Sequence, residues 1–346
     1  MGTVLDLLTA PEFADDRLTE SINVAPLRTG RLAQIGLFTD RPIPSTYVRV
    51  GINNDEITII PARERGGPPN ENMRGVRERA LIEIPHFPLR DAITPMDLQN
   101  VMAWGQPQQF QTLAGIYNEK LSAMRVKHDS THSHMDWGAI TGTILDAEGK
   151  TLLNTYTEFS VAQPTLNFAL VNAATDVAAK NRALKSMIST ALRGVATTGI
   201  RIFAGPTWYD NYVSHAKVLA ALRAYPMSNQ PNPEREDISD IFPFAGVTVE
   251  RVDEEFPYRQ ADNTFIQRRP IPVNEAIAIP LGTPYFPRYL APPDTIFDAN
   301  RAPSPSSRIF VSTDDLPHGK GRDIWTESNV LPICLRPTIM VKLTNT

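Results

Sequence analysis

Gly142-Thr143-Ile144-Leu145-Asp146-Ala147-Glu148-Gly149 is followed at once by Lys150-Thr151-Leu152-Leu153. Two short β-prone runs flank a polar turn, and Gly149 suits the left-handed position that closes such a turn. The stretch is a hairpin, and what precedes it is helical. Phe110, Leu113, Tyr117, Leu121 and Met124 recur at steps of three and four, one stripe of a helix. That helix runs to about Asp136, on the order of 40 Å at 1.5 Å per residue. A long amphipathic helix feeding a small hairpin, with strand patterns before and after it, reads as an α+β chain.

Upstream, residues 1–43 look like an arm. Leu5, Leu7 and Leu8 lead into Pro11, then into the acids Glu12, Asp15, Asp16 and Glu20; single apolar residues follow without a period. Such a segment is expected to need another surface to lie on. Residues 44–94 read as β structure with a long excursion. Strands are expected at 47–50 and 56–60 around Asn53-Asn54-Asp55, and at 57–63 and 76–84 around the tip Arg65-Gly66-Gly67-Pro68-Pro69-Asn70. The tip region holds Arg63, Arg65, Arg74, Arg77 and Arg79 against Glu64, Glu71 and Glu78, a surplus of two positive charges. A solvated excursion of this length points to binding. Thr94-Pro95-Met96-Asp97 is a helix start.

Downstream, 177–193 reads as a helix, 199–203 as a buried strand, and Pro206 opens one helix carrying Trp208, Tyr212, His215, Val218, Leu219 and Leu222. Strands are expected at 244–252, 264–267 and 276–281. A proline-rich connector, 284–305, leads to the last strands, 330–343.

Composition narrows the function. The chain has 346 residues, 42% hydrophobic, with mean hydropathy -0.23. It can bury a sizeable core. A net charge of -4 argues against a dedicated nucleic-acid binder. The single cysteine, Cys334, excludes an internal disulfide and any cysteine zinc finger. There is no signal-peptide pattern and no run of the ~18 apolar residues a membrane helix needs, so a soluble protein of a reducing compartment is expected. Proline numbers 30, against roughly 17 at average usage. Of the 34 basic residues 8 are lysines, leaving 26 arginines, the cation that interfaces favour.

Chemistry has little purchase. His128 and His132 stand four apart, the spacing of zinc ligands on a helix, but Asp129 replaces the glutamate base of H-E-x-x-H. The plain alternative is the fraying polar end of a helix. There is no nucleophile elbow, no phosphate loop and no dinucleotide fingerprint. No catalytic, cofactor-binding or metal residue is assigned.

Five stretches in order together resemble the major capsid protein E family of tailed phages, the lambda-type coat proteins. They are 142–149, Phe203-Ala204-Gly205-Pro206-Thr207-Trp208-Tyr209-Asp210, Phe244-Ala245-Gly246-Val247-Thr248-Val249-Glu250, Glu275-Ala276-Ile277-Ala278-Ile279-Pro280-Leu281-Gly282-Thr283 and Ser328-Asn329-Val330-Leu331-Pro332-Ile333-Cys334-Leu335-Arg336-Pro337. The resemblance implies the Hong Kong ninety-seven-type capsid fold. It has an N-terminal arm (1–43), an E-loop with flanking strands (44–94) and a peripheral domain with a spine helix (95–165, completed by about 305–346). Residues 166–304 are mainly the axial domain.

It further implies a coat protein of a phage or prophage, no enzyme, made in the host cytoplasm and resident in the virion. Its copies form hexamers and pentamers of an icosahedral shell that encloses DNA without sequence-specific binding, away from membranes. A decoration protein, a scaffold and a portal are further candidate partners. The loop arginines Arg63, Arg65, Arg74, Arg77 and Arg79 are expected at a subunit interface, against Asp15, Asp16 and Glu20 or the acidic stretch 234–255. The alternatives are an encapsulin-like compartment shell and a zinc hydrolase using His128 and His132.

Overall fold

The computed structural model describes residues 14–24, 30–53, 77–98, 113–223, 240–260, 262–296, 302–304 and 307–345. Expected elements at 1–13, 56–76 and 228–239 therefore lie outside the described residues, as does Phe110; so do the side chains of Leu113 and Leu222. In chain order come helices α1 (Asp15–Val24) and α2 (Arg31–Ile35), then strands β1 (Thr39–Pro42), β2 (Tyr47–Asn53), β3 (Arg77–Glu83) and β4 (Phe87–Ile93). A helical turn, α3 (Pro95–Leu98), precedes the long helix α4 (Leu113–Thr141) and the hairpin β5 (Thr143–Leu145) and β6 (Thr151–Asn154). Next are α5 (Thr155–Glu158), β7 (Thr165–Asn167), α6 (Val177–Leu192), β8 (Gly199–Ala204), α7 (Pro206–Val213) and α8 (Ala216–Arg223). Strands β9 (Ile241–Phe244), β10 (Val247–Arg251), β11 (Phe256–Arg259), β12 (Phe265–Arg268), β13 (Glu275–Leu281) and β14 (Pro287–Leu290) follow. The chain closes with β15 (Phe310–Asp315), β16 (Arg322–Ser328), β17 (Val330–Pro332) and β18 (Val341–Thr344).

Two compact units result. The first takes residues 1–48, 82–135 and 287–332. It holds a sheet in the order β15-β16-β4 and a smaller one, β1-β14-β17, in which β1 runs parallel to β14 with Asp40 opposite Arg288. The stripe of α4 behaves as its spacing requires. Ile116, Tyr117, Leu121 and Met124 are buried with Ile93, Ile309, Val311 and Ile324. The same cluster contains Leu18 and Ile22 of α1, and Leu32 of α2 is buried too. The expectation that the arm has no core of its own is thus corrected for residues 15–24. Their apolar positions, Leu18 and Ile22, are only four apart, too few to show as a period but enough for one helical face.

The second unit takes residues 49–81, 136–286 and 333–346. Its six-stranded sheet runs β7-β18-β13-β8-β10-β9. On it sits an aromatic cluster in which Trp208 and Tyr212 stack at 5.2 Å and Phe168 meets Trp208 edge-on at 5.3 Å.

Several boundaries differ from the sequence reading. Helix α4 continues past Asp136 to Thr141 and stops where Gly142 takes φ 88°. The strand expected at 244–252 is a hairpin: Ala245 and Gly246 both have positive φ and turn β9 into β10, with Phe244 opposite Val247. The helix expected from Pro206 to Leu222 breaks at Ser214-His215, where His215 Nδ1 accepts from Lys217 N and starts α8. Residues 330–343 do not act as one set of strands. β17 pairs with β14, whereas β18 pairs antiparallel with β13 and parallel with β7.

Candidate assembly surface

The outer flank of α1 and the face of the β15–β16 ribbon that carries Trp325 line an open groove of about 1440 Å³. How α1 comes to sit there follows from two polar side chains and four hydrogen bonds. Among the described residues strand β15 is an edge strand, so one row of its backbone groups has no strand partner there. Thr19 Oγ1 accepts from Val311 N at 3.0 Å and donates to Val311 O at 3.3 Å. Asn23 Nδ2 donates to Ile309 O at 2.7 Å, and its Oδ1 accepts from Arg308 N at 3.2 Å. Four helical residues rise about 6.0 Å and two strand residues about 6.8 Å, so one turn of helix matches one repeat of the edge.

The helix is also held from behind. Arg125 Nη1 donates to Ile22 O at 2.8 Å, satisfying a carbonyl in the last turn of α1. Its Nε donates to Asp129 Oδ1 and Oδ2 at 3.0 and 3.1 Å. Both side chains are 4% exposed, a buried pair one turn apart on α4.

His128 and His132 follow on the same helix, and both are buried. His128 Nε2 lies 3.0 Å from Thr326 Oγ1, whose own proton goes to Leu89 O. His132 Nε2 lies 2.7 Å from Ser328 Oγ, whose proton goes to Arg308 O. Each hydroxyl is spent as a donor, so each Nε2 carries the hydrogen and donates. Burial, reinforced by Arg125, lowers the His128 pKa from 6.5 to about 4. Burial lowers that of His132 too, reinforced by His128 and by Arg288, Arg308 and Arg125. These are neutral imidazoles bracing α4 against β16, not a fraying helix end. A zinc-binding Nε2 would have to surrender its proton and its hydroxyl partner, and among the described residues no cluster of histidine, cysteine and acids is arranged for a metal. The zinc-hydrolase alternative therefore has no geometric support.

The groove itself is acidic. Asp15, Asp16 and Glu20 stand on α1, all exposed; Asp15 accepts from Thr313 Oγ1 at 2.7 Å and Glu20 pairs with Arg17 at 3.0 Å. Asp314, Asp323 and Glu327 come from the ribbon and Asp294 from the segment beyond β14. Trp325 is 41% exposed among them. Of the loop arginines, Arg63, Arg65 and Arg74 lie outside the described residues; Arg77 and Arg79 fall on β3, with their side chains outside the description. The acidic groove was missed by sequence reading because it joins residues roughly 300 positions apart; only the acids of α1 were a local signal.

This architecture has known counterparts. A prophage-borne chain from E. coli CFT073, described as a capsid protein, matches with TM-score 0.55 at 12% identity, covering 96% of this chain and 99% of that one. The fold is thus the α+β, Hong Kong ninety-seven-type capsid fold. The major capsid protein of Salmonella phage Felix O1 is 23% identical over 351 residues, 94% of each chain. That of Pseudomonas phage KPP10 is 26% identical, covering 96% of each. The model of the family described as phage major capsid protein E matches residues 16–345, and with that span this chain belongs to the phage major capsid protein E family.

Proposed function

We propose that copies of this chain assemble into hexamers and pentamers of an icosahedral shell around a phage genome. The chain is then a virion protein, made in the host cytoplasm. The observation that carries the reading is the span of the family match, residues 16–345, which takes in both compact units. Within that reading residues 1–43 are the arm and 44–94 the E-loop. Residues 95–165, completed by about 305–346, are peripheral; 166–304 are mainly axial. The surplus charge of Arg63, Arg65, Arg74, Arg77 and Arg79 meets carboxylates of a neighbouring copy, Asp15, Asp16 and Glu20 among the candidates. A decoration protein, a scaffold and a portal complete the set of partners. No helix among the described residues is long and apolar enough to cross a membrane. Negative-stain microscopy of the chain expressed alone tests the reading: shells, tubes or capsomers are expected, and dispersed monomers at every concentration would refute it.

A further inference from the structure

Helix α6 turns one face inward and a different chemistry outward. Val177, Asn181, Leu184, Ile188 and Leu192 are buried. The exposed stripe, at steps of three and four, is Arg182, Lys185, Ser186, Ser189, Thr190 and the C-cap Arg193, with Ala183 beside it. That face is built of cations and hydroxyls; it holds no carboxylate and no large apolar side chain.

The charge bias reaches past the helix. The 33 residues 177–209 contain no aspartate or glutamate, where the chain's average of 38 acids in 346 residues would place about four, yet they contain five cations. Helix α8, which packs on α6, has Lys217 exposed and no acid either. Asp176, the N-cap of α6, stands 3.6 Å from Arg182, but both side chains are exposed and such a pair is weak and easily exchanged. Lys185 Nζ rests against Gly246 in the β9–β10 turn, with no carboxylate partner among the described residues.

Chemistry and spacing select the occupant. Phosphate oxygens are contacted by Arg, Lys, Ser and Thr side chains, the set found here. An acidic protein would also meet the charge, but a stable protein interface has an apolar core, and this face exposes none. From Arg182 to Arg193 the helix advances about 17 Å, the length of about five phosphates along one strand at ~3.4 Å each. We propose that the solvent face of α6 is a contact surface for the phosphodiester backbone of the enclosed nucleic acid, with Arg182, Lys185 and Arg193 on phosphates and Ser186, Ser189 and Thr190 donating hydroxyls between them. The proposal rests on the shell reading above and adds to it the surface that meets the genome. A net charge of -4 keeps the contact local, sequence-independent and sensitive to salt.

The test titrates the unassembled full chain with a short fluorescein-labelled DNA duplex of mixed sequence, followed by anisotropy at rising salt. Three phosphate contacts at about -0.9 each give an expected slope of log affinity against log salt of about -2.7, falling to about -0.9 in Arg182→Gln with Lys185→Gln. Lys150→Gln with Lys320→Gln removes the same charge from exposed positions elsewhere and should keep the parent slope. Arg182→Lys should keep it too, since a phosphate takes either cation as a point charge. Equal slopes for the parent and the α6 double variant overturn the proposal and leave the shell reading intact. Poly-glutamate binding more tightly than DNA of equal charge assigns the face to an acidic protein, and displacement of the duplex by inorganic phosphate at matched ionic strength reduces it to a simple anion site; either overturns the proposal. The double variant should form shells at the parent's yield, and their loss would make the face a subunit contact instead. Absence of shells from the unaltered chain overturns the shell reading itself.

Discussion

Acid should loosen the first compact unit, and His128 sets the scale. Its imidazole titrates near 6.5 when unfolded and near 4 when folded, because the buried ring is desolvated with Arg125 beside it. Between those values the unfolded chain binds more protons than the folded one. The stability is therefore complete above about pH 6.5 and is lost as the pH falls toward 4. At 1.36 kcal/mol per unit, His128 alone destabilises the fold by about 2 kcal/mol at pH 5 and about 3 kcal/mol at pH 4. His132 acts in the same direction. His128→Gln keeps a donor for Thr326 Oγ1 but cannot take up a proton. Urea unfolding of unassembled chain, followed by tryptophan fluorescence at a series of pH values, should show the parent losing about 2 kcal/mol more than the variant between pH 7 and pH 5. Parallel pH profiles for the two proteins would refute the reasoning.

Asp129→Ala strips Arg125 of its buried partner and should cost about 3–5 kcal/mol, read as a shift in the urea midpoint at constant slope. Leu18→Ala and Ile22→Ala should each cost about 2–5 kcal/mol in the same assay, since both side chains lie in the subunit's own core. A neutral result at both would detach α1 from that core. Burial pushes the Cys334 thiol up to about 12, so it should stay silent to a thiol-specific dye until urea unfolds the chain; labelling in native buffer would contradict its placement.

The sequence was most legible where a short-range rule governs. The stripe of α4, the 142–153 hairpin and strands β8 and β13 were readable because each is set by periodicity or by a turn residue. What escaped was set by distant partners. Asn23 looks like one more polar residue until Ile309, nearly 290 positions on, presents an open edge to it. His128 and His132 read as a zinc-spaced pair or a fraying polar helix end because their partners, Thr326 and Ser328, belong to a strand that no local pattern ties to the helix. The Ala245-Gly246 turn was missed because alanine seldom takes positive φ. For the surface, the acids of α1 were visible one by one, but Trp325 and Glu327 beside them required the fold.

An edge strand closed by its own chain also bears on how a newly made copy behaves while it waits. Wherever many copies share a solution, a bare strand edge is an invitation to endless ribbon growth. Thr19 and Asn23 withdraw that invitation at β15 as soon as the chain folds. At that edge copies can then meet only through surfaces of fixed shape and charge, which can count neighbours and curve, rather than through backbone that would join any two of them without limit.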